Sequence, residues 1–158
     1  MSTPSVTPID VPATTLVGVS GQFTSGHLPD SDAHMVIPQL WGRLSEAAGS
    51  SFHDARWSVG VMNDLDGEGL MNYFAAIRLD DNGGQSDGLE IMELPGGPYI
   101  ACEHVGSLDA IGETTKWFYA EYLPSEGIQV RDGYHLEIYD ERFDPDSASS
   151  VVLICAPV

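Results

Sequence analysis

The feature that most constrains this chain is a pattern of apolar segments and turns that runs through it twice. Strand, helix, strand, turn and strand follow one another in residues 14–80 and again in residues 89–158. The corresponding pieces are alike. "LVGVSG" stands where "IACEHVG" stands, "SVGVMND" where "HLEIYDE" stands, and "YFAAIRL" where "VLICAPV" stands. A period of roughly 80 residues lies well beyond the solenoid range. Each half carries a sheet and one helix, too little to bury its own apolar face. The halves must therefore join their sheets. The expected fold is α+β: two βαββ repeats forming one joined antiparallel sheet, with two main helices and a central groove. It forms a single domain over 14–158, preceded by an N-terminal extension of residues 1–13.

Local patterns place the pieces. "TTLVGVSGQF" reads as the first strand. In "HMVIPQLWGRLSEAAG", Ile37, Leu40, Trp41, Leu44 and Ala48 recur at helical spacing. Pro38 suits only a first turn, so this helix is expected to begin near Val36, and Gly49 ends it. "RWSVGVMND" and "LMNYFAAIRL" are strands joined by the turn "LDGEG". "LEIMELPGGPYIACEHVG" reads as strand, Pro/Gly kink, strand. Residues 107–123 form the second helix, with Ser107 as N-cap and Pro124 as its stop. Its inner stripe is Leu108, Ile111, Phe118, Tyr119 and Tyr122. Trp117 falls opposite Leu108 and marks either a loop cover or a surface for a second copy or a protein partner.

Charge narrows the function. There are 24 acids against 6 bases, a net charge of −18, and Lys116 is the single lysine. Phosphate binding needs basic groups that displace counterions, which excludes direct nucleic-acid binding. Three readings of the acidity remain: a solvating surface, attraction of cationic ligands, or mimicry of nucleic acid toward a DNA-handling enzyme. No apolar run approaches the ~18 residues of a membrane span, and the N-terminus has no secretory pattern. No membrane association and a cytoplasmic location are expected. Cys102 and Cys155 lie far apart in apolar strands and read as buried thiols, with no ligand set for a metal. "NDLDGEG" lacks the register of a calcium loop and is read as a turn. Neither a phosphate loop nor a nucleophile elbow is present.

The stretch "GYHLEIYDERF" (133–143) poses the functional question. A strand sends Tyr134, Leu136 and Ile138 to one face and His135, Glu137 and Tyr139 to the other. Aligning the repeats sets Glu137 against Gly60 and Tyr139 against Met62, so one copy has an acid and a phenol where the other has neither. If Glu137 faces the groove, its ligand-binding neighbours are Tyr139, Trp41, Phe118, Tyr99 and Tyr122. An acid ringed by aromatic faces suits an organic cation, with about 0.5–2 kcal/mol of cation–π attraction per ring. The rival reading is an exposed strand acid.

Three runs carry a family resemblance: "LPGGPYIACEHVGSLDAI", "WFYAEYLPSEG" and "YHLEIYDERFDPDSASSVVLICAPV". In order and spacing, His104-Val105-Gly106, Tyr122-Leu123-Pro124 and Glu137-Ile138-Tyr139 resemble the GyrI-like effector-binding domains. The resemblance implies two βαββ units flanking a drug-sized groove, with the family's cation-meeting Glu at Glu137. Tyr122 stands where the family often has Trp, so the ligand's identity is not carried over. The expected function is a free-standing binding protein for hydrophobic, often cationic small molecules, without a cofactor. The alternatives are a GyrI-like hydrolase of strained-ring or toxic natural products, with Glu137 and Tyr139 as catalytic candidates, and an acidic protein-binding inhibitor of a DNA-handling enzyme such as gyrase. A haem-binding relative of the fold would need His104 or His135 as axial ligand. His104 is instead expected to bond the backbone at the helix start.

Overall fold

A computed structural model of the protein describes residues 3–26 and 28–158. The strands are β1 (Val6–Val11), β2 (Thr14–Thr24), β3 (Ser58–Asp64), β4 (Leu70–Arg78), β5 (Glu90–Leu94), β6 (Gly97–Val105), β7 (His135–Tyr139) and β8 (Val151–Pro157). The helices are α1 (Ala33–Ala48), α2 (Ser50–Asp54), α3 (Ile111–Trp117) and the single turn α4 (Leu123–Ser125). This is a mixed α+β fold with one open eight-stranded sheet, in the order β1-β6-β8-β7-β3-β4-β2-β5. Every pairing is antiparallel. No helix among the described residues is long and apolar enough to cross a membrane.

The order forces the sheet to roll. β1 and β2 stand six strand spacings apart, ~29 Å if the sheet were flat. Yet the chain from Val11 to Thr14 spans at most about 11 Å. The β5–β6 link, Pro95–Gly96, obeys the same limit. The two links meet. A Cβ on Gly96 would lie 2.6 Å from the Ala13 nitrogen and 2.7 Å from the Val11 carbonyl oxygen. Inside the roll, Leu16, Val59, Val61, Phe74, Leu94, Leu136 and Ile138 form an apolar core to which no helix contributes. The outer face carries the helices. Leu40 and Leu44 of α1 pack on Val17, Val19, Phe23, Tyr73 and Ile77, and Phe118 and Leu123 pack on Cys102, Ile154 and Ala156.

Local departures from the sequence reading have physical causes. Val6–Val11, read as part of an extension, is strand β1, because it pairs with β6 from Val6↔Cys102 to Val11↔Gly97. Tertiary pairing overrides a Pro/Thr-rich composition there, and Pro8 is tolerated because β1 is an edge strand. Helix α1 begins at Ala33, a turn earlier than expected, so Pro38 lies in its interior. The missing Pro38 N–H leaves the His34 carbonyl without its usual partner.

The second helical segment passes through a π turn, Phe118–Tyr122, in which the Leu123 N–H bonds the Phe118 carbonyl. A π turn brings residues five apart onto one side. Trp117 and Tyr122 consequently pair rings at 5.3 Å, and Trp117 packs against the core beneath. Trp117 itself stays half-buried, its ring between that core and solvent.

Candidate functional site

Glu137 lies on the helix-bearing face at the middle of the sheet, directly across from Gly60 in the β7–β3 pair. Both phenols near it donate to the same oxygen. The Tyr73 hydroxyl bonds Oε1 at 2.9 Å and the Tyr139 hydroxyl bonds it at 3.2 Å. Trp41 Nε1 donates in turn to the Tyr73 oxygen at 3.1 Å. The chain Trp41–Tyr73–Glu137 thus links α1, β4 and β7.

Gly60 makes this reach feasible. Tyr73 is on β4, and β3 lies between it and β7. A Cβ on Gly60 would fall 2.0 Å from the Tyr73 hydroxyl oxygen. The small residue opposite the acid is the gap through which the phenol passes.

Burial pushes the Glu137 carboxyl above its ordinary range, and the two phenol hydrogen bonds pull partly back. Burial likewise pushes both Tyr73 and Tyr139 well above the usual phenol range, so they remain protonated donors. Oε2 differs from Oε1. It makes no hydrogen bond among the described residues, and no fully buried side-chain oxygen among them lacks a partner. Oε2 therefore keeps some contact with solvent at this half-buried residue, even though protein surrounds the carboxyl closely enough to shift it.

Rings gather on this face. Trp41 lies 5.3 Å from Tyr139 edge-on and 6.1 Å from Phe52, and Tyr139 lies 4.9 Å from Phe143. On the other flank the Tyr119 hydroxyl meets His135 Nδ1 at 2.6 Å, and burial holds the imidazole below its ordinary pKa. Phe118 is fully buried beneath the π turn, stacked at 6.2 Å on Tyr122. Trp41 and Tyr139 therefore stand with the acid, and Phe118 and Tyr122 stand in the neighbouring helix core. Tyr99 stands apart. It lies inside the roll, 2% exposed, and its hydroxyl donates to the Tyr134 carbonyl. The register puts it on the face opposite Glu137, because Tyr99 faces Pro157 and Glu137 faces Ile154, three positions apart on β8.

Among the described residues, two half-open hollows lie away from this cluster. One of ≈ 180 Å³ opens at the inner face and one of ≈ 390 Å³ lies beside α2. Around Glu137 touching rings stand where an open groove was expected.

His104 cannot serve as an axial ligand. Its Nε2 donates to the Ser107 carbonyl at 2.7 Å, and Nδ1 shares a hydrogen bond with the Thr114 hydroxyl at 2.7 Å. Both nitrogens are occupied, as the backbone-bonded reading expected. Tyr73 was missed by sequence reasoning. The available signal was the glycine opposite an acid, which implies that a third side chain fills the gap.

Comparison with known proteins bears on the family and the fold. The model of the GyrI-like small molecule binding domain matches residues 5–158. A transcriptional regulator of Pseudomonas aeruginosa, BrlR, is 29% identical over 119 residues, covering 70% of this chain. The alignment covers 43% of that longer relative, less than half its length. A putative transcription regulation protein from Staphylococcus aureus matches with a TM-score of 0.71 at 19% identity, covering 98% of this chain and 97% of its own. The structure of SAV2435 bound to tetraphenylphosphonium matches with a TM-score of 0.72 at 17% identity, covering 98% and 93%. At those identities the structural likenesses establish the fold.

Proposed function

This chain belongs to the GyrI-like small-molecule-binding domain family, and we propose that it binds hydrophobic cations with Glu137 as their charge partner. The observation that carries the proposal is the division of labour within one carboxylate. Two phenols hold Oε1, and Oε2 is unpaired, partly in contact with solvent and set among rings. A lipophilic cation neutralises that oxygen and covers the rings with apolar surface. Trp41 and Tyr139, whose rings touch edge-on, part to admit it, with Phe118 and Tyr122 supporting from the helix behind. The tetraphenylphosphonium held by SAV2435 is a ligand of this chemical class.

The reading of the chain as two βαββ copies belongs to the same proposal. Its support is the β3–β7 register. Ser58↔Tyr139, Gly60↔Glu137 and Met62↔His135 are the pairings a twofold through Gly60 and Glu137 would produce if 58, 60 and 62 correspond to 135, 137 and 139.

The test is calorimetric titration with tetraphenylphosphonium and with the neutral triphenylphosphine oxide, using wild type and Glu137→Gln. Loss of a charged partner weakens the cation by about 1.5–3 kcal/mol, roughly 10- to 150-fold, and leaves the neutral compound within about twofold. Equal losses for both compounds, or no saturable binding of the cation, overturn the proposal.

A further inference from the structure

We propose a second binding site, at the mouth of the rolled sheet on the face opposite Glu137, for a small neutral ring bearing an amide or imide edge. The hollow of ≈ 180 Å³ is lined by Asn63, Asn72, Tyr134 and Glu90 above a floor that includes Val61, Phe74 and Met92. By register it lies at the end of the roll away from the two crossing links. Asn63 pairs with Asn72, whereas Val59 pairs with Ala76 nearer the closed end. At about 30 Å³ per water, the space equals roughly six waters, the size of one substituted ring.

The chemistry of the lining selects the ligand. Asn63 and Asn72 face each other directly across β3 and β4, close enough for amides to bond one another. They do not. Neither amide makes a hydrogen bond among the described residues, and the Tyr134 hydroxyl makes none. Two uncommitted amides offer the paired donor and acceptor that match the edge of a lactam, imide or pyrimidine. Glu90 is already engaged: its carboxylate accepts from the Ser20 N–H at 2.9 Å and from the Ser20 hydroxyl at 2.8 and 3.0 Å. It is held as part of the wall. Its charge, with no cation in the lining and a net charge of −18 around it, repels anions. Met92 and the Tyr134 ring, both half-buried, supply the apolar surface a flat ring requires, over the buried Phe74.

The experiment titrates the isotopically labelled full chain with uracil, benzoate and benzylammonium, following the side-chain amide resonances of Asn63 and Asn72. Uracil is expected to shift both sets saturably, and benzoate to shift neither. Asn63→Ala and Asn72→Ala, each a truncation at the rim, weaken uracil by roughly three- to tenfold. Saturating tetraphenylphosphonium does not displace it, which separates this site from the Glu137 site and lets either reading fail alone. Absence of a saturable shift, uracil binding undiminished in both variants, or tighter binding of benzylammonium than of uracil overturns the proposal.

Discussion

Tyr73 donates to Glu137 at 2.9 Å from two strands away, across the space that Gly60 leaves empty. The site is therefore a three-strand device. The acid comes from β7, the gap from β3 and the donor from β4, and helix α1 fixes the donor through Trp41.

Substitution of Gly60 should test the device directly. In Gly60→Ala the new methyl meets a fully buried phenol at 2.0 Å. Overpacking of this kind costs about 1–3 kcal/mol. Urea denaturation should report that loss, and the double variant Gly60→Ala/Tyr73→Phe should recover part of it. Unchanged stability in Gly60→Ala would show that Tyr73 does not depend on the gap.

The titration of Glu137 carries a sign. Burial raises its folded pKa above the ordinary value of 4.5. The folded state thus holds this proton more tightly than the unfolded chain does. The contribution to stability is fully present below the unfolded pKa and is lost as pH rises through the folded pKa. Glu137→Gln cannot titrate, so the difference in Tm between it and wild type should move in favour of the variant as pH rises from 4.5. Tyr73→Phe removes a hydrogen bond that lowers this pKa, and carboxyl-carbon resonances should show it rising further. A fall would contradict the assigned bond.

The crossing of the two links makes Gly96 demanding. A Cβ there meets backbone on both sides, the Ala13 nitrogen and the Val11 carbonyl, and backbone in paired strands yields little. Gly96→Ala is expected to lose about 1–3 kcal/mol or more by denaturant unfolding. By contrast, Gly42→Ala, with open space around its Cβ inside helix α1, should gain a few tenths to ~1 kcal/mol.

Both thiols should be silent in the native protein. Cys102 and Cys155 are free and buried, and burial pushes them up to about 11 and about 12. At neutral pH a thiol-reactive disulfide should modify neither until the chain is unfolded, when both react. Rapid native reaction of either would mean that the sheet opens locally.

Much of this was legible in the chain. Strand alternation assigned Tyr134, Leu136 and Ile138 to one face and His135, Glu137 and Tyr139 to the other, and the roll's core and the acid's face follow that division. Helical spacing found Leu40 and Leu44, and the Ser107 side chain does accept at the helix start, from the Asp109 N–H. These are short-range properties, set by the geometry of a strand or a turn.

What the sequence settled alone was therefore periodic: which segments extend, which coil, and which side of each is apolar. The tertiary structure decided the partnerships. Val6–Val11 became a strand because β6 offered an edge, Tyr99 went inside the roll, and Tyr73 reached Glu137 through Gly60. Such contacts join residues 86 to 96 positions apart, from Val11↔Gly97 to Val6↔Cys102, and no local preference encodes them. They arise when a rolled sheet brings distant strands within hydrogen-bond range, and there a missing side chain matters as much as one that is present.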